Sequence, residues 1–467
     1  MKNIYKILCL LLLACSISSC ENWFDVTAKS ELKGDDMLSN RTGYRDALIG
    51  CYATMAGTNL YGSQLTMTYM DVLGQYYSTA KTALNNFAYA ANYDYSNLTE
   101  EARKDGIWKD IYNVVANANN ILDHIDGDKG VFMEGEYEVI KGEALAIRAY
   151  MHLDLLRLFA KSPSMTDGLQ SKAIPYVDHF TNQIYPQLTV EQVLDRIIAD
   201  LTAAQSLLKD VDPYGPKHAQ YDLKALTGLL KGREYRLNYY AVTALKARAL
   251  LYRGKAEDLS NAGICAKEVI ESGLFPLVTS ADIQSSDDNG FVSENIFALE
   301  SKELKDNVAD KYFYVTSNNN NFLAANKTTI NKVFPATLDM DYRLKWWIEN
   351  TGSYYILSKY NTSKRIPLLK VSEMYLIMAE TSATTGEQEK WLNQLLYHRG
   401  LPDESLEGVD FKARLLQEYA KEFIGEGQLF YAYKRLDSSK SPVTNSAVAD
   451  PEAVYVLPLP SDNTYFQ

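Results

Sequence analysis

Apolar residues recur every three or four positions in several long segments of this chain, the spacing that places them on one face of an α-helix. Residues typical of helix ends support the assignment of helices. In Thr189-Val-Glu-Gln192, for example, Gln192 is placed to reach back to the helix end that Thr189 caps. The pattern predicts helices at residues 43–55, 99–125, 136–160, 189–208, 239–252, 256–271, 371–381 and 411–433, and short strands at 295–299 and 353–357.

Two of these helical segments indicate how the helices pack. Residues 142–159 are apolar on nearly every side, so several neighbours must cover that helix. The segments 239–252 and 256–271 flank a turn at Gly254, and the second carries the small residues Ala262 and Ala266. Small residues at this spacing let two helices approach closely, as in tetratricopeptide hairpins. The sequence therefore predicts a mostly α-helical scaffold of paired helices.

Long segments rich in Asn, Ser, Gly and Tyr separate the helices, at residues 58–98, 162–186, 276–291 and 316–327. Loops of this length inside a folded chain are usually functional or disordered. The chain has 34 Tyr against 15 Phe and 5 Trp, and a tyrosine ring with its hydroxyl suits the recognition of sugars or peptides. For most of these rings, packing between helices is the favoured alternative.

The N-terminus has the layout of a bacterial lipoprotein signal. Lys2 and Lys6 precede an apolar run at residues 7–17, and Ser18-Ser19-Cys20 follows at once. The run is about half of the roughly 20 residues that a membrane-spanning helix needs. We therefore expect a signal peptide at residues 1–19 and Cys20 as the lipidated first residue of the mature chain, with the lipid as its membrane attachment. An ordinary signal peptide with an incidental Cys20 is the alternative.

The net charge of the chain indicates which binding partners to exclude, and its cysteines indicate whether disulfides are expected. The formal net charge is −12, and it becomes −14 once Lys2 and Lys6 leave with the signal peptide. An acidic chain repels phosphate backbones and anionic lipid, so we expect neither nucleic-acid binding nor peripheral membrane binding. In the mature chain, Cys51 and Cys265 remain besides Cys20, and buried free thiols are expected, with a single bridge as the alternative.

The sequence offers no catalytic constellation that we would defend. Its five histidines are scattered, and none of the common metal, nucleophile or phosphate-binding motifs occurs. The segment at residues 126–130 imitates a calcium loop, but Tyr137 stands where a bidentate Glu is required, so a turn between helices is expected.

Two pairs of glutamates are the nearest approach to catalytic carboxylates. Glu373 and Glu380 share a helix face, and Glu422 and Glu426 are one turn apart in a helical segment. We interpret all four as solvated or hydrogen-bonded scaffold residues. No metal, cofactor or catalytic residue is therefore expected, with a hydrolase as the alternative.

Several sequence blocks follow one another along nearly the whole chain. They are Glu21-Asn-Trp-Phe-Asp-Val26, Trp108-Lys-Asp-Ile-Tyr112, Glu143-Ala-Leu-Ala-Ile-Arg-Ala-Tyr150, Asp341-Tyr-Arg343, residues 365–380 and Tyr455-Val-Leu-Pro-Leu-Pro460. In this order they resemble the SusD-like (RagB/SusD) lipoproteins of Bacteroidetes. One block departs from the family, since Leu429 and Ala432 stand where Arg and Asp are common.

The resemblance implies a SusD-like fold in a single domain at residues 20–467, with a helical scaffold at about 40–275 and a loop-rich part at about 276–467. It further implies a non-enzymatic lipoprotein on the outer face of the outer membrane. Such a protein captures an oligosaccharide, or alternatively a peptide, for a SusC-like TonB-dependent transporter.

Ligand contacts in this family tend to fall in the loop after the first helix and in the C-terminal loops. The candidates there are Tyr69, Tyr76, Tyr77, Asn85, Asn86, Phe87, Tyr312 and Tyr314. For each ring, interior packing is an equal alternative. Trp108, Trp346 and Trp347 are assigned to structure.

Overall fold

The computed structural model describes residues 38–286, 289–314, 319–335 and 340–460. Cys20 and the block that follows it lie outside these ranges. The helices are α1 Arg41–Met55, α2 Tyr69–Leu73, α3 Ala88–Ala91, α4 Leu98–Ile125, α5 Glu136–Phe159, α6 Val190–Leu208, α7 Tyr239–Arg253, α8 Ala256–Glu271, α9 Ser280–Ser285, α10 Lys327–Val333, α11 Tyr342–Trp347, α12 Val371–Thr381, α13 Thr385–Tyr397, α14 Phe411–Glu422, α15 Leu429–Leu436 and α16 Pro451–Tyr455. A π-helix spans Lys305–Phe313.

The strands are short and form antiparallel pairs. They are β1 Lys172–Pro175, β2 Gln187–Thr189, β3 Asn295–Glu300, β4 Ile348–Asn350, β5 Tyr355–Leu357 and β6 Arg365–Lys370. β1 pairs with β2, β3 with β6, and β4 with β5. Short 3-10 turns lie at Ser78–Lys81, Lys129–Val131, Gly168–Gln170, His218–Gln220, Gly228–Leu230 and Val292–Glu294. The expected mostly α-helical fold with a few short strands is confirmed.

The long helices pack in a linear array. α1 packs on α4, α4 on α5, α5 on α6, α6 on α7, α7 on α8, α8 on α12, and α12 on α13. Helix α5 is buried on nearly all sides, as its sequence required. At the start of α6, Thr189 and Gln192 form the predicted capping box, and Gly254 ends α7 with a φ of 73°. Within the described chain, no helix has the length and apolar composition needed to cross a membrane.

The prediction of one continuous helix at residues 411–433 is wrong, although most of the span is helical. The structure has α14, a turn at residues 423–428, and α15. Gly425 and Gly427 adopt φ values of 81° and 69°, a left-handed conformation that stops the helix. At Gly427, a Cβ atom would lie 2.3 Å from the carbonyl oxygen of Leu65. Glu426 therefore lies in a tight turn, and it does not share a helix with Glu422.

The expectation of long loops also needs correction at residues 58–98. This segment contains α2, a 3-10 turn and α3, and most of its side chains are buried. The predicted loops at residues 162–186 and 276–291 likewise contain β1 and α9. The assignments of the two cysteines, of two tryptophans and of the segment at residues 126–130 hold. Cys51 and Cys265 are buried free thiols, Trp108 and Trp347 are buried, and the segment at residues 126–130 connects α4 to α5.

A buried cluster of charges ties the C-terminal elements together. We call it the Glu422 cluster, and it consists of Glu294, Asp341, Arg343, Lys359, Lys370, Arg399, Glu418, Glu422 and Glu426. Glu422 is at its centre. It accepts hydrogen bonds from Arg343 (2.9 Å), Lys370 (3.0 Å) and Arg399 (2.8 Å). Burial acts to raise the pKa of Glu422, but Arg399 and Lys370 hold it well below its usual range.

Replacing the central carboxylate should lower the free energy of unfolding of the chain. Glu422→Gln keeps the shape but leaves buried cations without their shared anion, which typically costs about 3–5 kcal/mol. We expect urea unfolding, followed by circular dichroism, to show a free energy of unfolding lowered by about that amount. The matched control is Glu271→Gln on an exposed pair with Lys267, which should leave the midpoint essentially unchanged. Equal midpoints for the two variants would contradict the central role of Glu422.

Candidate functional site

Two loops that are distant in sequence meet on one side of the molecule and form the rim of a pocket. The Thr79 hydroxyl donates to the carbonyl of Phe322 (2.9 Å) and accepts from the amide of Ala324 (2.8 Å). The Asn85 side-chain amide also donates to the carbonyl of Phe322 (2.9 Å). Since hydroxyl and amide groups bond directly to the opposite backbone, residues 79–86 and 319–324 hold each other in a fixed register.

The hairpin of β4 and β5 forms the third wall. The amide and carbonyl of Ala325 exchange hydrogen bonds with those of Tyr355, at 2.8 and 2.9 Å. This pairing brings the Tyr354 ring edge-on to the Phe322 ring, with centroids 5.3 Å apart at 84°. Such edge-to-face contacts stabilise ring positions. The two aromatic side chains are therefore held in place before any ligand arrives.

The space between these walls, which we call the loop pocket, has a volume of about 500 Å³. Its lining residues are Thr79, Thr82, Ala83, Leu84, Asn85, Asn319, Asn320, Phe322 and Tyr354. None of them carries a charge. Leu84 is 79 % exposed, and Asn319 and Asn320 are exposed as well. An apolar surface beside amide and hydroxyl groups is suited to an uncharged ligand with an apolar face and several hydroxyl groups.

The residues expected to bind ligand fall into two groups. Five of the rings are in the core, with at most 8 % of their surface exposed, and these are Tyr69, Tyr76, Tyr77, Phe87 and Tyr312. Their position corresponds to the packing alternative left open by the sequence, and it leaves them no free face for a ligand. The Tyr76 hydroxyl, for example, donates to the carbonyl of Ala420 (2.7 Å) and so joins the loop to α14.

The remaining three predicted residues lie at or near the surface. Asn85 forms part of the pocket wall, and the exposed Asn86 beside it donates to the Asn321 side chain (2.7 Å). Tyr314 is 39 % exposed and donates to Glu349 (2.6 Å), but it does not line the loop pocket. The structure thus brings Asn85 and Asn86 to one site and leaves Tyr314 outside it.

Sequence reasoning missed most of the pocket. Leu84 directly precedes the predicted Asn85 in the chain, but it was not predicted, because an aliphatic side chain does not by itself indicate ligand binding. The asparagine run that includes Asn319 and Asn320 is typical of a flexible segment, and the pattern around Tyr354 indicates only a minor strand. The sequence feature that could have indicated this part of the pocket is the asparagine run directly before an aromatic residue, Phe322.

Arg103 on α4 supports the inner side of the first loop. Its guanidinium lies 4.3 Å from the centroid of the Phe87 ring and 5.1 Å from that of Tyr69. It also donates to the carbonyl of Asn86 (3.2 Å). Cation–π contacts of this kind are stronger when the cation is shielded from water. The side chain of Arg103 therefore fixes the segment that carries Asn85 and Asn86.

Asp71 on α2 connects the same loop to the turn after α14. Its carboxylate is fully buried and accepts hydrogen bonds from the amides of Gly425 (2.6 Å) and Gly427 (3.0 Å). The Tyr77 hydroxyl lies 3.3 Å away. Burial raises the pKa of Asp71 to about 8, against the opposing effect of these hydrogen bonds.

The four glutamates nearest to a catalytic pattern are all paired with cations. Glu373 accepts two hydrogen bonds from Arg248 (2.7 and 2.6 Å), and Glu380 pairs with Arg435. Glu422 and Glu426 belong to the Glu422 cluster. They are thus the hydrogen-bonded scaffold residues that the sequence indicated. Across the described residues, no group of three or more His, Cys, Asp or Glu side chains is placed to hold a metal ion.

Comparison with known proteins agrees with this geometry. A family model described as "Starch-binding associating with outer membrane" matches residues 22–221, and the SusD family model matches residues 281–456. The chain belongs to the SusD-like family.

Relatives of known structure share the fold along nearly the whole chain. A SusD superfamily protein from Bacteroides thetaiotaomicron superposes with a TM-score of 0.70 at 20 % identity, covering 92 % of this chain and 99 % of its own. Surface glycan-binding protein A from Bacteroides uniformis gives a TM-score of 0.65 at 18 % identity, covering 91 % and 95 %. A SusD-like protein from Formosa agariphila is 24 % identical over 217 residues, which is 45 % of this chain and only 39 % of that relative.

The buried carboxyl of Asp71 should give this SusD-like chain a pH-dependent stability. Its folded-state pKa lies above the ordinary value of 3.8, so the folded chain binds the proton more tightly than the unfolded chain does. The stabilising contribution is complete below about pH 4 and is lost as the pH rises towards 8, at up to about 1.4 kcal/mol per pH unit.

Asp71→Asn carries no titrating group, so the variant should lack this loss. We expect urea unfolding at pH 5, 6 and 7 to show the wild type losing stability relative to Asp71→Asn as the pH rises. Other titrating groups are common to both chains and cancel in the difference. A difference that stays constant across this range would show that Asp71 is already ionised in the folded chain.

Proposed function

We propose that this chain is a cell-surface lipoprotein that binds a neutral oligosaccharide at the loop pocket and delivers it to a TonB-dependent outer-membrane transporter. The observation that carries the proposal is the loop pocket itself, where the half-buried Tyr354 ring, the exposed Leu84 side chain and several amide and hydroxyl groups line a cavity without a charged side chain. A sugar ring has apolar C–H faces that pack on aromatic or aliphatic groups, and hydroxyl groups that bond to amides.

The relatives support a saccharide over other ligands. One matching family model is described as starch-binding, and a structural relative is a surface glycan-binding protein. The lining also favours an uncharged glycan, because uronate or sulfate groups would find no cation on the pocket wall to offset their loss of hydration. A peptide remains the second candidate ligand, and calorimetric titration distinguishes the two.

The positions of the carboxylates indicate that the loop pocket binds its ligand without catalysis. A glycosidase needs two carboxyl groups on either side of the scissile bond. The carboxylates of Glu373, Glu380 and Glu426 are held by arginine or lysine instead, and none of them lines the loop pocket. We therefore assign capture of a glycan, and not its cleavage, to the loop pocket.

Truncation of the ring on the pocket wall should weaken glycan binding. Tyr354→Ala removes a half-buried ring, and we expect the dissociation constant to rise about tenfold, or about 1.4 kcal/mol. Isothermal titration of the mature chain with neutral hexasaccharides of glucose, xylose and mannose, and with a peptide panel, would measure it. The control Tyr89→Ala alters a 45 % exposed ring that does not line the pocket, so its affinity should equal that of the wild type.

Other results of this titration would overturn parts of the proposal. Heat from peptides alone would replace the saccharide with a peptide ligand. Equal affinities for Tyr354→Ala and the wild type would remove the loop pocket as the site. Release of smaller sugars during long incubation would instead indicate a hydrolase.

The proposed membrane attachment depends on Cys20. We expect Cys20→Ala to prevent lipid attachment and to move the protein from the outer-membrane fraction to the soluble fraction, because several acyl chains supply the anchoring energy. Cell fractionation and mass spectrometry of the mature N-terminus would measure both effects. Retention of Cys20→Ala in the outer membrane would show that another contact holds the protein there.

A further inference from the structure

A second pocket lies on a different part of the molecule, at α12, α13 and the segment 402–408. It has a volume of about 710 Å³ and shares no lining residue with the loop pocket. We call it the α13 groove. Its lining includes Tyr375, Glu389, Asn393, Gln394, Tyr397 and Asp403.

Tyr397, at the C-terminal end of α13, presents its ring to the solvent. It is 73 % exposed, although most of the tyrosines in the described chain are buried or half-buried. Tyr375 on α12 supplies a second, half-buried ring, which is held by an edge contact with Trp391 (5.9 Å). A single exposed ring needs no special explanation, but two rings in one polar concavity form a surface on which a sugar can stack.

The polar side chains of the groove are held in place by the protein itself. The Asn393 side chain donates to the carbonyl of Glu404 and accepts from its amide, both at 2.9 Å. One carboxylate oxygen of Glu389 accepts from the amide of Leu406 (2.7 Å). These bonds fix the segment 402–408 against α13. A ligand would therefore bind without first ordering the walls, and this lowers the entropic cost of binding.

The charges of the groove indicate which ligands it favours. Glu389 and Asp403 are its acidic lining residues, and Lys390 and His398 are its basic ones. Carboxylates accept hydrogen bonds from sugar hydroxyls, and the Gln394 amide can both donate and accept. Uronates, sulfated sugars and phosphates would meet the two carboxylates of the groove, and like charges repel. The chemistry of the groove thus matches a neutral saccharide, as does that of the loop pocket.

We infer that the α13 groove is a second binding subsite for neutral saccharides, with Tyr397 as its stacking platform. The inference rests on the proposed glycan-binding function but concerns a separate surface. A polymer long enough to occupy both sites at once would be held by two sets of contacts, so its apparent affinity would exceed that of one site alone.

Affinity electrophoresis tests this subsite because it detects weak binding to polymers. The full mature chain is run through native gels that contain starch, mixed-linkage β-glucan, xylan or galactomannan, with polygalacturonate as the anionic comparison. The wild type is compared with Tyr397→Ala, Tyr354→Ala and the double variant. Tyr89→Ala is the control for loss of an exposed ring outside both pockets. Removal of the Tyr397 side chain should not disturb folding, because most of the ring is in solvent.

We expect the wild type to be retarded by at least one neutral polymer and not by polygalacturonate. Each single variant should keep part of the retardation, with Tyr397→Ala weakened at least threefold, and the double variant should lose it. Asp403→Asn should weaken retardation in the same direction as Tyr397→Ala.

Contrary outcomes separate this subsite from the proposed function. If Tyr397→Ala migrates like the wild type while Tyr354→Ala is no longer retarded, the second subsite is refuted and the loop pocket stands. If Tyr397→Ala alone abolishes retardation, the groove is the main site and the loop pocket is not. A wild type that no polymer retards would overturn both.

Discussion

The requirement that buried charges be paired shapes the C-terminal half of this protein. Glu422 is fully buried, and an isolated carboxylate there would be prohibitively costly to keep ionised. Arg343, Lys370 and Arg399 surround it, and they come from α11, β6 and the segment after α13. Each of these elements is therefore positioned relative to the end of α14 by the same carboxylate.

The loop pocket depends on this cluster through a short series of contacts. Glu426 pairs with Lys359 and Lys370 and so fixes the turn after α14. The amides of Gly425 and Gly427 in that turn bond to Asp71, and the helix α2 that carries Asp71 leads into the first loop of the pocket. The binding surface, although built from loops, is thus connected to the most strongly constrained part of the core.

Sequence patterns predicted the scaffold well because a long helix is specified locally. Helices α8 and α12 begin and end at the predicted residues. The break after α14 was missed because apolar residues lie on both sides of it, although Gly425 and Gly427 end the helix locally. Asp71, which accepts hydrogen bonds from both of their amides, is more than 300 residues away in the chain. The prediction of the residues that line the pocket failed for a similar reason. Composition shows that a loop is rich in tyrosine, but which rings face the core depends on partners such as Ala420 for Tyr76.

The proposed delivery to a transporter also limits how tightly a ligand should be held. A hydrogen bond contributes about 0.5–1.5 kcal/mol net, and an aromatic contact a similar amount. A pocket with one accessible ring and a few amides therefore supports modest affinity and fast dissociation, since affinity differences lie mainly in the dissociation rate. A polymer can still be retained through repeated contacts. A short oligosaccharide makes fewer contacts and leaves readily, so an uncharged surface of this kind suits the proposed role of passing the ligand on.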